Sequence, residues 1–509
     1  MPPINEQSLL DRCAEAAETV YSIDQPTPVE ELYLPGNAGP ITLKREDLSR
    51  VRSYKWRGAF NKMSRCVEAG DRGPFLATSA GNHAQGVAIA AAKLGVDATV
   101  FMPQSTPRLK QDAVIRHGAG QVQVHLEGDS FEQALDAANR FGAETNATVL
   151  PPFDDPDVIA GQSTVAREIL DQVEGVETVF VPIGGGGLAS GVAFLLKHLA
   201  PDVRVIGVEV DGQDSMSRSI RASDLLSLPR VDRFCDGTAV ATPGRITMEL
   251  CSRYLSETIT ITNTQVCAAI QLLWEQKRLV PEPSGAIALA GLLLAMQDGS
   301  VDPVNEKCVC IVSGGNVDFL TLPLIVKGSQ AAQPSRRYFR FHIDERNGSL
   351  IGLLDKFLDG INIVDFRYGK TGHEIASPVL GLQATSKRFE EFIAALESAG
   401  QQFEDVTEHQ ATMYRIIAFR PDLASHPYFL HIDFPDRPGA LRDLMRKASP
   451  LTSICYFNFN DTGQAEGHAL IGFEFTDPAD RDGLHEILRG MRFAFKAVDV
   501  APLMSDAKD

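Results

Sequence analysis

The sequence predicts an α/β protein built on a mainly parallel sheet, followed by a duplicated α+β module of the βαββαβ type. Three observations carry that expectation. Short β-branched runs alternate with Ala/Leu-rich segments from about Ile41 to Ile325, the pattern of repeated βαβ units. The runs are apolar almost throughout, which calls for helices covering both faces of the sheet. Beyond them, FHIDERNGSLIGLLDKF (Phe341 to Phe357) and IDFPDRPGALRDLMRK (Ile432 to Lys447) align at an offset of about ninety residues, a period that fits two copies of a small domain.

At 509 residues the chain exceeds what one hydrophobic core supports, so several domains are expected. Hydrophobic residues at 44% and charged residues at 22% match ordinary folded proteins and exclude a disordered or fibrous class. The formal charge of -18 leaves little basic surface for phosphate backbones or anionic lipid, so neither nucleic acid nor membrane is an expected partner and a small molecule is. The stretch MPPINEQSLLDRCAEAAETVYSIDQP has no charged-then-apolar leader pattern, and no apolar run is long enough to span a bilayer, so a cytoplasmic location is expected. Eight scattered cysteines without C-x-x-C pairs or metal-ligand spacing read as reduced thiols, with no metal site.

Taken in order, the first segment with chemical potential is KREDLSRVRSYKWRGAFNKM. It sets Lys55 among aromatics just ahead of a helix, where the amine can be partly desolvated; a surface lysine at a helix start would look the same. Next, the strand PFLAT runs into SAGNHAQG (Ser79 to Gly86) and the helix VAIAAAKLG. This puts a hydroxyl, an amide and free N–H groups at the C-terminal sheet edge, where carboxylates bind. The strand TVFVPI leads into Gly184 to Gly187 and the helix LASGVAFLLKHL. Four residues without Cβ let backbone N–H groups converge on an anion at a helix N-terminus, and a monophosphate would fit. The spacing is not G-x-G-x-x-G and no acidic ribose partner follows, which lowers the case for a dinucleotide. Glu282 in PEPSGA is open between pocket residue, supporting partner and helix cap. The strand KCVCIV, with Cys308 and Cys310 read as buried, delivers SGGN (Ser313 to Asn316) to the same edge.

After Ile325 the polar, Pro-containing stretch 326–337 reads as a linker. Two modules follow, 338–415 and 427–503. In each, a strand ends at an acidic residue and Arg, then a glycine turn, then an amphipathic helix: Glu345, Arg346 and Gly348 in the first copy, Asp436, Arg437 and Gly439 in the second. INIVDFRY, ICYFNFND and GHALIGFEFTD read as later strands.

SYKWRGA, SAGNHAQG, GGGGLASG, EPSGAIALAG and VSGGN, in this order and at these separations, resemble the fold-type II pyridoxal-phosphate enzymes, specifically threonine dehydratases. The duplicated tail resembles their paired ACT-like regulatory domain. The resemblance implies a tryptophan synthase β-like catalytic part over 1–325, two open parallel-sheet subdomains with the smaller inserted at roughly 52–150, and pyridoxal 5'-phosphate as cofactor. It implies that Lys55 links the cofactor and exchanges a proton with the substrate Cα. By the same resemblance Gly184, Gly185, Gly186, Gly187 and Leu188 cradle the phosphate, Asn82 meets the ring 3-oxygen and Ser313 the pyridine nitrogen. Ser79, Gly81, Asn82 and His83 would grip the substrate carboxylate, with His83 orienting the loop.

A neutral hydroxyl at Ser313 would leave the pyridine nitrogen largely unprotonated, which favours β-elimination over transamination. The implied reaction is dehydration and deamination of L-threonine to 2-oxobutanoate and ammonia, the opening of isoleucine biosynthesis. Isoleucine is the implied inhibitor, valine its implied opponent, and a homotetramer the implied assembly. Serine racemases of this fold carry a second serine after the position matching Ser79; this chain has Ala80, so little racemisation is expected. Serine or 3-hydroxyaspartate as substrate stays open, since one methyl discriminates by only about 1 to 3 kcal/mol. A non-catalytic amino-acid sensor is the reading from another class, and the two regulatory turns could instead serve an oligomer interface.

Overall fold

The structure is a computed structural model that describes residues 5–34, 39–104, 106–128, 131–332, 336–346, 348–407, 417, 419–435, 440–460, 466–491 and 493–498. The chain divides into two compact units, Met1–Ala332 and Gln333–Asp509.

The first unit holds two sheets. The larger has six strands in the order Val29–Tyr33, Pro40–Arg45, Cys308–Val312, Thr178–Pro182, Arg204–Val210 and Glu257–Ile261. Only its first pair is antiparallel. Its inner strands Thr178–Pro182 and Cys308–Val312 are buried along their whole length because both faces are covered: Val179 and Val181 enter one core and Phe180 the other, and Val309 and Ile311 likewise part from Cys308 and Cys310. Parallel order sends the loops after Arg45, Pro182 and Val312 to one edge of this sheet. The smaller sheet is parallel, in the order Val122–Leu126, Ala98–Met102, Phe75–Thr78 and Thr148–Val149. The helices Lys55–Glu68 and Asn82–Leu94 cross tightly above it, since a Cβ on Gly86 would lie 3.1 Å from the Lys55 carbonyl.

A fully buried ion cluster anchors the first of those helices. Arg57 donates to Glu46 at 2.8 and 2.9 Å and to Glu168 at 2.5 and 3.0 Å. Lys44 lies 2.6 Å from Glu168. All four side chains are at most 1% exposed where paired, so two cations and two anions compensate one another without solvent.

The second unit is built on an eight-stranded antiparallel sheet made by both modules, with a separate two-stranded ribbon of Ile343–Asp344 and Ile375–Ala376. Arg336–Phe341, Asn362–Gly369, Val379–Gln383 and Phe403–Asp405, with helices Ser349–Phe357 and Ser386–Ser398, form the first βαββαβ copy. Tyr428–Pro435, Ser453–Asn460, Glu466–Glu474 and Phe495–Ala497, with helices Ala440–Ala448 and Asp480–Gly490, form the second. The copies join edge to edge where Asn362–Gly369 pairs antiparallel with Ser453–Asn460, in the register Asp365 to Asn460. Helices from both copies pack on one shared core that includes Phe339, Phe392, Leu444 and Leu488.

The expected linker over 326–337 is corrected. A helix, Leu322–Ala332, fills its first half and a strand starts at Arg336. The polar composition concealed a packed face: Ile325 is buried, and Gly328 sits so close to the helix Asn263–Lys277 that a Cβ there would lie 2.5 Å from the Cys267 Sγ.

Candidate active site

Lys55 opens its helix, half-buried, with Nζ donating to the Pro152 carbonyl at 3.0 Å. Burial pushes its amine down to about 8, against the opposing pull of the Glu282 carboxylate. The segment before it is stitched to the loop after Val312: Tyr54 N donates to Ser313 O at 3.2 Å, and Gly315 N donates to Arg52 O at 2.8 Å. Ser313 is buried and its Oγ donates to the Ser284 carbonyl at 3.2 Å.

The glycine loop lies on the other side of Pro152. A Cβ on Gly185 would come within 2.2 Å of the Phe153 ring, one on Gly187 within 2.9 Å of Phe153 Cβ, and one on Gly184 within 2.9 Å of Thr238 Cα. Gly186 caps the helix Gly187–Leu199 at φ +93, where its Cβ would meet Met216 Cε at 2.5 Å. The first-turn N–H groups of that helix, beginning with Gly187 and the buried Leu188, have no intrahelical partner, which makes this helix start a potential anion site. The loop is braced by Thr247, whose Oγ1 donates to Gly185 O at 2.6 Å.

Ser79, Gly81, Asn82 and His83 form the junction between Phe75–Thr78 and the next helix. Ser79 Oγ accepts from Gly81 N at 3.2 Å. His83 is buried and its Nε2 lies 2.9 Å from the Leu150 carbonyl. Burial and the nearby Lys55 hold its imidazole down to about 4, so it is neutral near pH 7, carries its proton on Nε2 and donates to that carbonyl. Asn82 Nδ2 donates to Glu282 Oε1 at 2.7 Å. Burial, with the Asp236 charge adding to it, pushes Glu282 up to about 7. Although Glu282 precedes a short helix, its side chain makes no cap bond. Lys55, the glycine loop, the Ser79 junction and Ser313 are thus connected within one unit through Pro152, Phe153, Thr238, Ser284 and Asn316. Ser284 and Asn316 fall inside the PEPSGA and SGGN segments without having been given a role, and Pro152, Phe153 and Thr238 were not identified from sequence, because none has a periodicity or motif that marks it.

In the second unit a cavity of about 170 Å³ lies at the seam of the two modules. Glu345, Arg346, Gly348 and Tyr368 line it from the first copy, Met445 and Glu474 from the second. Glu345 accepts from the Tyr368 hydroxyl at 2.5 Å, and Glu474 pairs with Lys370 at 2.7 Å. Arg346 is exposed and pairs with Asp344 at 3.0 Å. Gly348 adopts φ +92, which explains a glycine at that turn. Asp436, Arg437 and Gly439 lie outside the described residues. Among the described residues no cluster of His, Cys, Asp and Glu could hold a metal ion, and no helix is long and apolar enough to cross a membrane.

A family model described as pyridoxal-phosphate dependent enzyme matches residues 21–314, and one described as the C-terminal regulatory domain of threonine dehydratase matches 327–416. The biosynthetic L-threonine dehydratase of Burkholderia multivorans is 37% identical over 441 residues, 86% of either chain. The chain belongs to the threonine dehydratase family of pyridoxal-phosphate-dependent enzymes. Another member, the biosynthetic L-threonine dehydratase of Escherichia coli, is 34% identical over 90% of this chain and 89% of its own. The solved structure of processed threonine deaminase isoform 2 from Solanum lycopersicum shares 36% identity at a TM-score of 0.61, covering 64% of this chain and 90% of that one. Maize serine racemase shares 30% at a TM-score of 0.58, covering 62% and 96%.

The residues present fit the cofactor of this threonine dehydratase family. A half-buried lysine with a lowered amine is linked through Pro152 and Phe153 to a helix N-terminus whose four glycines are packed too closely against Phe153, Thr238 and Met216 to admit any Cβ, leaving backbone N–H groups as the donors for a phosphate.

Proposed function

We propose that this protein converts L-threonine to 2-oxobutanoate and ammonia, and that its second unit tunes the rate by binding an amino acid. The observation that carries the reading is the pairing of Lys55 with the glycine cradle across Pro152 and Phe153, in a chain whose relatives over about nine-tenths of its length are biosynthetic threonine dehydratases. Bound pyridoxal phosphate supplies the electron sink that makes the substrate Cα proton labile.

The chain's own residues do the rest. Lys55 would hold the cofactor, and its amine in the neutral form is able to take the substrate Cα proton. N–H groups of Gly184 to Leu188 would hold the phosphate, Asn82 would donate to the ring oxygen, and Ser313 would present its hydroxyl to the ring nitrogen. Ser79, Gly81, Asn82 and His83 orient the carboxylate. His83, neutral and committed to Leu150, is no competitor for the role of base. Ala80 offers none on the opposite face, which argues against racemisation despite the likeness to a serine racemase.

For the second unit, the seam cavity combines an apolar wall of Ile343, Leu350 and Met445 with Glu345, Tyr368 and Glu474, a composition suited to an amino acid with an aliphatic side chain. Isoleucine is the proposed inhibitor and valine its opponent, in a cytoplasmic homotetramer whose mass light scattering would give. The deciding experiment is 2-oxobutanoate release from L-threonine by full-length, cofactor-loaded protein, with and without L-isoleucine, against Lys55→Ala. Release that isoleucine suppresses and Lys55→Ala abolishes supports both parts. Pyruvate from L-serine without 2-oxobutanoate from threonine would make it a serine dehydratase, and cofactor absorbance indifferent to Lys55→Ala would remove the enzyme reading.

A further inference from the structure

Glu282 and Asn82 are 200 residues apart in sequence, yet they form one end of a side-chain relay with a forced polarity. At its far end, Asn316 Nδ2 donates to the Val51 carbonyl at 2.8 Å and to Asn82 Oδ1 at 2.7 Å. A backbone carbonyl only accepts, so the Asn316 atom facing Val51 must be nitrogen. Its second N–H then demands an oxygen from Asn82, which turns the Asn82 nitrogen toward Glu282, an acceptor when ionised. That nitrogen has two N–H donors. Glu282 takes one, and the relay thereby sets the direction of the other.

The carboxylate is itself held in place. Glu282 is buried, its backbone N–H donates to Gly314 O at 3.2 Å, and its carbonyl accepts from Gly285 N at 2.8 Å. Gly314 and Gly237 make room for it: a Cβ on Gly314 would lie 2.3 Å from Glu282 Oε1, and one on Gly237 3.3 Å away. The SGG loop therefore needs its first glycine to admit this carboxylate, as well as for any turn it makes.

We propose that Glu282 is a positioning residue for the reaction, which acts through the Asn82 carboxamide to aim its second N–H at the cofactor ring. The inference rests on the reading of Asn82 as the ring-oxygen partner given above.

The test is a double-mutant cycle on the full-length protein with Glu282→Ala, Asn82→Ala, the pair together, and the near-isosteric Glu282→Gln, read by cofactor dissociation constant, absorbance maximum of the bound cofactor, and kcat against KM for threonine. Glu282→Ala is expected to weaken cofactor binding about ten-fold, shift the absorbance and lower kcat more than it raises KM, whereas in the Asn82→Ala background it adds nothing. Glu282→Gln keeps an oxygen acceptor and should restore most of the loss. Equal losses in both backgrounds, a Gln variant as impaired as Ala, or unchanged affinity and spectrum would overturn the proposal. Should Glu282→Ala not fold, Asn316→Ala releases the same carboxamide from its other end; it should produce the same spectral shift, and an unchanged spectrum there is equally fatal. Wild-type protein that binds the cofactor but leaves threonine untouched would defeat the substrate reading alone, since the affinity and absorbance arms still decide the role of Glu282.

Discussion

In the role proposed for Lys55, its amine must be uncharged to capture the cofactor covalently, and its surroundings change the pH at which that state is populated. Burial lowers its amine from the ordinary lysine value to about 8, while the Glu282 carboxylate pulls the other way. Near pH 7.5 an unshifted lysine is about 0.1% neutral and one titrating at about 8 is about 24% neutral, a difference of roughly two hundred-fold in reactive amine. Stopped-flow absorbance on mixing cofactor-free protein with pyridoxal phosphate, repeated across pH, reads this directly. The capture rate should rise with pH through a midpoint near 8, because deprotonation makes the nucleophile. Glu282→Gln removes the negative charge that favours the ammonium form, so it should move the midpoint down. A midpoint near that of free lysine, or an upward move in the Gln variant, would refute the account of burial as the cause.

Other outcomes follow from equally local features. Arg57→Met leaves Glu46 and Glu168 buried with only Lys44 against them; urea unfolding of the catalytic unit should show a loss of about 3 kcal/mol or more. Gly186→Ala imposes a side chain at φ +93 against Met216 and Thr247. Strain of about 1 to 3 kcal/mol should lower cofactor affinity by about an order of magnitude in an equilibrium titration, and unchanged affinity would place the phosphate elsewhere. Offered L-serine, the protein should form D-serine at less than about one-hundredth of its elimination rate by chiral chromatography, the factor a positioned base supplies; comparable rates would contradict the role given to Ala80.

The fold was legible where a physical constraint acts along the chain. Runs such as TVFVPI have no polar face, and in the structure Val179, Phe180 and Val181 enter cores on both sides of one sheet. The duplicated module announced itself because both copies need an acidic strand end, a turn and an amphipathic helix in the same order. The joining of the copies was not legible, since an edge strand has the same alternation whether its outer side meets water or another strand. The segment 326–337 misled because its composition is polar although the chain there packs: Ser329 is buried, and Gly328 lies against Cys267. At the candidate site, Lys55, the four glycines and Ser313 stood out as residues at strand–helix junctions. The Glu282–Asn82–Asn316 relay did not, because hydrogen bonds between distant polar side chains leave no spacing to read.

The pairing of Asn362–Gly369 with Ser453–Asn460 also bears on why the module comes in two copies. Alone, each copy would present an eight-residue strand with an open row of backbone donors and acceptors, a template for adhesion to any other extended chain. Side by side, each shields the other. Among the described residues the borders of the combined sheet are then the three-residue strands Phe403–Asp405 and Phe495–Ala497, too short to recruit a partner. Duplication here protects solubility: a half-length second unit would be expected to aggregate where the doubled one stays dispersed.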